Sequence, residues 1–239
     1  CELSVAIRQR KVSCREVMHA HLQRIARFNP KFCAIVSPCD EGDLMAQADA
    51  CDAELARGHS RGWMHGFPLA VKDLAMTQGV RTTLGSPLMA QFVPTQDSTM
   101  VARMKAAGAI VIGKTNTPEF GLGSHTFNEV HAATGNAHDP SKSAGGSSGG
   151  AAVALALHLL PVADGSDFMG SLRNPAGWNN VYGLRPSQGR IPLEPALDVW
   201  VSQMGTEGPM ARTVRDLAHL LCIQSGHSPS SPLSLADTL

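Results

Sequence analysis

Gly145-Gly146-Ser147-Ser148-Gly149-Gly150 opens the stretch that decides how this chain is read. The residues after it are apolar, and their length and spacing predict a helix from about Gly150 to Leu160. Leu159 to Ala163 then reads as a strand. It leads into a tight turn, Asp164-Gly165-Ser166-Asp167-Phe168-Met169-Gly170, that ends at Ser171. Ser171 therefore stands at a strand-to-helix junction, with Leu172-Arg173-Asn174-Pro175-Ala176 beyond it. The backbone amides of Phe168, Met169 and Gly170 precede it. Such amides can converge on one spot, as an oxyanion hole requires. The plainer reading is a helix cap, with the Ser171 hydroxyl bonding the N–H groups that follow. The hexapeptide satisfies G-x-S-x-G on either serine, but the polar, turn-rich residues before it are not the strand a nucleophile elbow needs. Twelve of the 23 glycines lie between Gly121 and Gly189. Glycine is used where backbone must take positive φ or approach something closely, so this is where a site is sought.

Working outward, Phe67-Pro68-Leu69-Ala70-Val71 reads as a short strand ending at Lys72-Asp73. Ser98 to Ala107 reads as a helix stopped by Gly108, and Ala109-Ile110-Val111-Ile112 as a buried strand. Thr117-Pro118-Glu119 has the form of a helix start. This alternation predicts an α/β layered domain. Gly108 to Thr115 also matches G-x-x-x-x-G-K-[ST], but Ala-Ile-Val-Ile in its middle is a strand that wants burial, and a strand cannot wrap a phosphate. Nearer the N-terminus, Ser13-Cys14-Arg15-Glu16 is a capping box for a helix with Val17, Leu22 and Ile25 on one face, stopped by Asn29-Pro30. A second helix fits Gly42 to Arg57. From Gly226 onward the chain is polar and punctuated by proline, the texture of a linker or frayed end.

Over 239 residues, 20 Lys plus Arg balance 20 Asp plus Glu. That argues against a nucleic-acid binder and against an electrostatic membrane anchor. The longest apolar run, Ala151 to Ala163, is too short to span a bilayer and is interrupted by His158 and Pro161. No signal peptide is visible in this sequence. Cys1, Cys14, Cys33, Cys39, Cys51 and Cys222 include no C-x-x-C pair and read as reduced thiols of a cytoplasmic protein. His19-x-His21 is the only close histidine pair, so no metal site is expected.

Taken together, Gly145–Gly150 and Gly170-Ser171-Leu172-Arg173-Asn174-Pro175-Ala176 resemble the amidase signature family, including the spacing between the two serine motifs. Phe67 to Asp73 looks like that family's lysine strand. Lys114 to Gly121 and Tyr182-Gly183-Leu184-Arg185-Pro186-Ser187 are similar to further family motifs. The similarity runs from about Leu3 to Gly226. It implies one amidase-signature domain over residues 1–239: a twisted mixed β-sheet flanked by α-helices in α/β/α layers. Its parts would be a helical region 1–60, a catalytic core 66–226 and a linker or truncated end 227–239. It further implies a Ser–Ser–Lys triad, with Ser171 as nucleophile, Ser147 as bridging serine on a cis Gly146–Ser147 peptide and Lys72 as general base. The amides of Phe168, Met169, Gly170 and Ser171 would hold the oxyanion, with Ser148, Asp167 and Arg173 in support. Neither metal nor cofactor is implied.

The chemistry is coherent. A serine hydroxyl needs a base to attack an amide carbonyl. Lysine serves only when neutral, and burial shifts it that way. The plainer reading of Lys72 is a salt bridge to Asp73 or another carboxylate. Met169 departs from the family pattern, which usually has glycine there, but keeps its backbone N–H. The expected activity is hydrolysis of a small carboxamide through a serine acyl-enzyme. The alternative is an amidotransferase-type or inactive subunit needing a partner chain. The family domain is about twice this length, so the expected partners are the substrate and either a homodimer mate or a chain supplying the absent half.

Overall fold

In the computed structural model, which describes residues 2–196, 198 and 204–237, the helical N-terminal region packs on an α/β core. After α1 (Glu2–Arg8), α2 (Cys14–Phe32) starts at the Ser13 capping box, where Ser13 and Glu16 each bond the other's backbone. The helix does not stop at Asn29-Pro30. It runs to Phe32 because Pro30 sits in the last turn. The Asn29 side chain then accepts the Ala34 and Ile35 N–H groups as Cys33 turns left-handed at φ 48°. The α3 helix (Glu41–Ala56) begins at Asp40, whose carboxylate accepts the Asp43 N–H.

Among the described residues the core strands form two three-stranded sheets, one mixed and one antiparallel, within the α/β architecture that the sequence led us to expect. In the first, β3 (Ile110–Thr115) lies between β1 (Ile35–Val36, antiparallel) and β2 (Pro68–Lys72, parallel). In the second, β6 (Thr206–Ala211) lies between β4 (Val162–Asp167) and β5 (Tyr182–Gly183), all antiparallel. Strands β2 and β4 run beside each other at the seam. There a side chain joins them: both Asp164 carboxylate oxygens accept the Lys72 backbone N–H, at 3.2 and 3.1 Å. β3 is buried along its whole length, so the Gly108–Thr115 match is sheet and no phosphate cradle. The α4 helix (Thr99–Ala106) buries Met100, Val101 and Met104 in the core.

The helix after the glycine-rich hexapeptide, α5 (Gly149–Ala156), is buried on nearly every side. It contacts β1, β2, β3, β4 and β6. A helix so placed has no polar face to offer, and Gly-Gly-Ala-Ala-Val-Ala-Leu-Ala has none. Close approach explains its glycines. A Cβ on Gly150 would stand 2.3 Å from the Asn116 nitrogen and 2.6 Å from the Ala34 oxygen, both backbone.

Other expectations are corrected. Thr117-Pro118-Glu119 starts no α-helix. It opens one 3₁₀ turn, Glu119–Gly121, because Phe120, Gly121 and Gly123 all take positive φ. Residues 227–237, expected to be a linker or truncated end, lie against the rest of the structure. Their small polar groups find partners: the Ser228 hydroxyl donates to the Glu194 carboxylate at 2.8 Å, and the Leu235 N–H donates to the Gly189 carbonyl at 3.0 Å. Helices α6 (Arg173–Trp178) and α7 (Val214–Gln224) and a 3₁₀ turn at Pro87–Met89 complete the described elements. Cys14, Cys33, Cys39, Cys51 and Cys222 are free thiols, and Cys1 lies outside the described residues.

Because the atoms facing Gly150 are backbone, they cannot swing aside. Gly150→Ala is expected to lower the unfolding free energy by at least about 1–3 kcal/mol. Urea titration would read this as a lower midpoint with an unchanged slope.

Candidate active site

Lys72 is the last residue of β2 and is 1% exposed. Its amine lies 2.8 Å from the Ser147 hydroxyl, 2.8 Å from that of Ser148 and 2.9 Å from that of Ser166. The Asp73 salt bridge does not form. Asp73 turns away and accepts from the N–H and hydroxyl of Thr83. Burial pulls Lys72 down to about 7, against the opposing pull of Asp164, Asp167 and Glu207. Keeping the ammonium charged here costs about 5 kcal/mol more than in water.

The serines arrive from two segments. Ser147 and Ser148 immediately precede α5, and the Gly146–Ser147 peptide is cis. Ser166 comes from β4, with Asp164 two residues before it on the same face. Sequence reasoning missed both. The period of two along Asp164-Gly165-Ser166 was the available signal, once the strand was carried on to Asp167. Gly165, on the other face, lets α5 close in, since a Cβ there would lie 2.8 Å from the Ser148 hydroxyl.

Ser171 lies in the loop between β4 and α6. Its carbonyl accepts the Ser148 N–H at 3.2 Å, which ties the two serine segments together. Ser147 and Ser171 line one cavity of about 500 Å³, with Phe168, Met169 and Leu122 among its walls. No hydrogen bond joins the Ser147 and Ser171 hydroxyls, so the structure brings Lys72 and Ser147 into contact and places Ser171 in the shared cavity.

Asp167 organises the loop. Its carboxylate accepts the N–H groups of Gly170 (2.8 Å) and Leu172 (3.1 Å), both ends of the Arg173 guanidinium and, at 2.9 Å, Arg185. Burial alone would raise this carboxyl. The bonds from Arg173, Gly170, Leu172 and Arg185 instead hold it well below the usual carboxylate range. Arg185 stood out in the sequence only as part of a motif. Its second nitrogen also reaches the Met204 carbonyl. The Gly170 amide is thus occupied and is unavailable to an oxyanion, a correction to its expected role. The amides of Phe168, Met169 and Ser171 have no acceptor among the described residues.

Lys114, the lysine of the phosphate-loop look-alike, is a second buried amine. It donates to the Ala75 carbonyl at 2.6 Å and the Thr77 hydroxyl at 2.7 Å, fixing the turn that follows Lys72. Burial lowers it to about 8. Among the described residues no group of three or more His, Cys, Asp or Glu could hold a metal ion, and no helix is long and apolar enough to cross a membrane.

The structure thus sets a lysine desolvated among hydroxyls beside a strand-to-helix loop that carries a further serine. The chain belongs to the amidase family, also called the amidase signature family, whose model matches residues 16–237. It is 43% identical over 234 residues to a glutamyl-tRNA(Gln) amidotransferase subunit of Thermus thermophilus, covering 98% of this chain and 48% of that protein. Two solved structures are similar across nearly all of the chain. A bacterial aryl acylamidase of the amidase signature family superposes with TM-score 0.93 at 32% identity, covering 99% of this chain and 49% of the other. The peptide amidase of Stenotrophomonas maltophilia superposes with TM-score 0.89 at 33% identity, covering 97% and 48%. The chain spans about half the length of the curated relatives it matches.

Asp167→Asn should cost about 1–3 kcal/mol of stability at neutral pH. Half of the Arg173 side chain faces water, which screens its share. Because the folded-state pKa lies below the unfolded value of about 3.9, the stabilisation is present above that pH and fades as the pH falls below it. The unfolding curves of parent and variant should therefore converge below about pH 4.

Proposed function

We propose that this chain carries the reacting groups of an amide hydrolase that cleaves a carboxamide C–N bond through a serine acyl-enzyme. One observation carries the reading: the Lys72 amine, closed off from water, touches the Ser147 hydroxyl at 2.8 Å on the wall of the cavity that holds Ser171. The uncharged amine is a base. The Ser171 oxygen attacks the amide carbon while its proton passes to Ser147 and the Ser147 proton passes to Lys72. Negative charge grows on the carbonyl oxygen and is met by the free amides of Phe168, Met169 and Ser171, with Gly170 kept on Asp167 to hold the loop. Losing one such donor typically costs about 2.7–4 kcal/mol of transition-state stabilisation. The proton returns from Lys72 through Ser147 to the departing nitrogen as the C–N bond breaks. A water then repeats the attack on the acyl-serine and releases the carboxylate.

A second reading is favoured by the similarity to an amidotransferase component. The same chemistry would then release ammonia for a partner chain to use, or operate only once a partner completes the cavity. The acid–base groups are identical in both readings. The partner distinguishes them: hydrolysis by the protein alone supports the first, and turnover that requires a co-purifying chain supports the second.

Ammonia or amine release from a panel of carboxamides tests the chemistry. Ser171→Ala and Lys72→Met should each lower kcat/KM by at least about 10³-fold, as for other catalytic units of this kind. Full activity in either variant rejects the mechanism. In the parent, kcat/KM should rise with pH through about 7, where Lys72 gives up its proton.

A further inference from the structure

Strand β6 pairs with β4 so that Glu207 stands directly opposite Ser166. Side chains of opposed residues lie on the same face of a sheet, with Cβ atoms about 4.5–5.5 Å apart. The Ser166 hydroxyl lies 2.9 Å from the Lys72 amine. Lys72, Asp164, Ser166, Thr206 and Glu207 line a second cavity, of about 200 Å³. It adjoins the larger one, and Leu74, Ser166 and Phe168 belong to both.

Glu207 is 5% exposed, and its Oε2 has no hydrogen-bond partner among the described residues. The neighbouring Thr206 hydroxyl also lacks one. A buried carboxylate left with a bare oxygen is costly, and the group answers by holding a proton. The charges acting on Glu207 are Asp164 on β4, Lys72 on β2 and Lys114 on β3. Lys72 feels Asp164, Asp167 and Glu207. Burial first, and then Asp164, push Glu207 up to about 8, within the range over which Lys72 titrates.

We propose that Glu207 is a positioning residue that controls the proton of Lys72, the two groups facing one cavity beside the Ser166 hydroxyl and titrating as a pair. An ammonium–carboxylate pair becomes an amine–carboxylic acid pair. Between these two forms one N–H bond breaks at Lys72 and one O–H bond forms at Glu207. Net charge is unchanged and no further reactant is needed. Burial of both groups favours the uncharged pair, so a Glu207 that holds its proton leaves Lys72 able to act as a base. When Glu207 loses its proton to solvent at higher pH, its charge raises the affinity of Lys72 for a proton, which makes the two titrations steps of one pair. This rests on the reading of Lys72 as the base.

The test follows Lys72 directly, by NMR of protein carrying ¹³C at the lysine ε-carbons. Its signal is assigned by its loss in Lys72→Met. In the unaltered protein the Lys72 signal should move in two steps with pH. In Glu207→Gln it should move in one step, with its midpoint lower by about one pH unit, a tenfold change in the ionisation constant. The acid limb of kcat/KM should move with it. A single step in the unaltered protein overturns the proposal without recourse to a variant. So does a Glu207→Gln protein in which activity falls while the Lys72 midpoint stays in place, since a merely structural role would do that. If Lys72→Met leaves amide turnover intact, the hydrolase mechanism fails, yet the NMR coupling is still read. The two ideas therefore fail separately.

Discussion

A lysine amine shut in among three serine hydroxyls, with water kept out, is the constraint around which this core is arranged. Desolvation penalises the ammonium, so burial brings the amine down to about 7. Three acids pull the other way, and they do not win because they are not free to act as full charges beside it. Asp164 is tied to the Lys72 backbone, Asp167 is neutralised by two arginines, and Glu207 is itself buried. Their placement sets the amine's affinity for a proton.

The same constraint explains the seam between the sheets. A backbone ladder from β2 to β4 would join them into one surface, whereas the Asp164 carboxylate caps the Lys72 N–H and leaves the strands side by side. The lysine side chain then reaches α5 on one side and β4 on the other. Glycine at 150 and 165 lets α5 sit deep enough to deliver Ser147 and Ser148 to the amine. The Asp167 bonds hold the next loop against this assembly, and the Ser148 N–H bond to Ser171 fastens it.

Much of this could be read from the sequence, because several signals are local. Lys72 ends an apolar strand, and the serine motifs stand at recognisable junctions. The family resemblance implied Asp167 and Arg173 as supports of the loop. What escaped was non-local or depended on strand length. Stopping β4 at Ala163 hid Asp164 and Ser166, which face Lys72 only because the strand runs on to Asp167. Glu207 becomes meaningful through its register with Ser166, which no single-sequence pattern supplies. Proline 30 suggested a stop that Asn29 postponed by using its side chain as the cap. Gly170 counted as a donor until the Asp167 carboxylate was found on its amide.

Helix α5 divides the molecule into what is fixed and what is replaceable. Wedged against five strands, it leaves Ser147 and Ser148 no room to wander. Leu122 and Met169, by contrast, stand at the cavity with 82% and 83% of their surface in water. Under the proposed function, exchanging those two would alter which molecules fit while leaving the buried groups untouched, so selectivity can drift while the interior stays as it is.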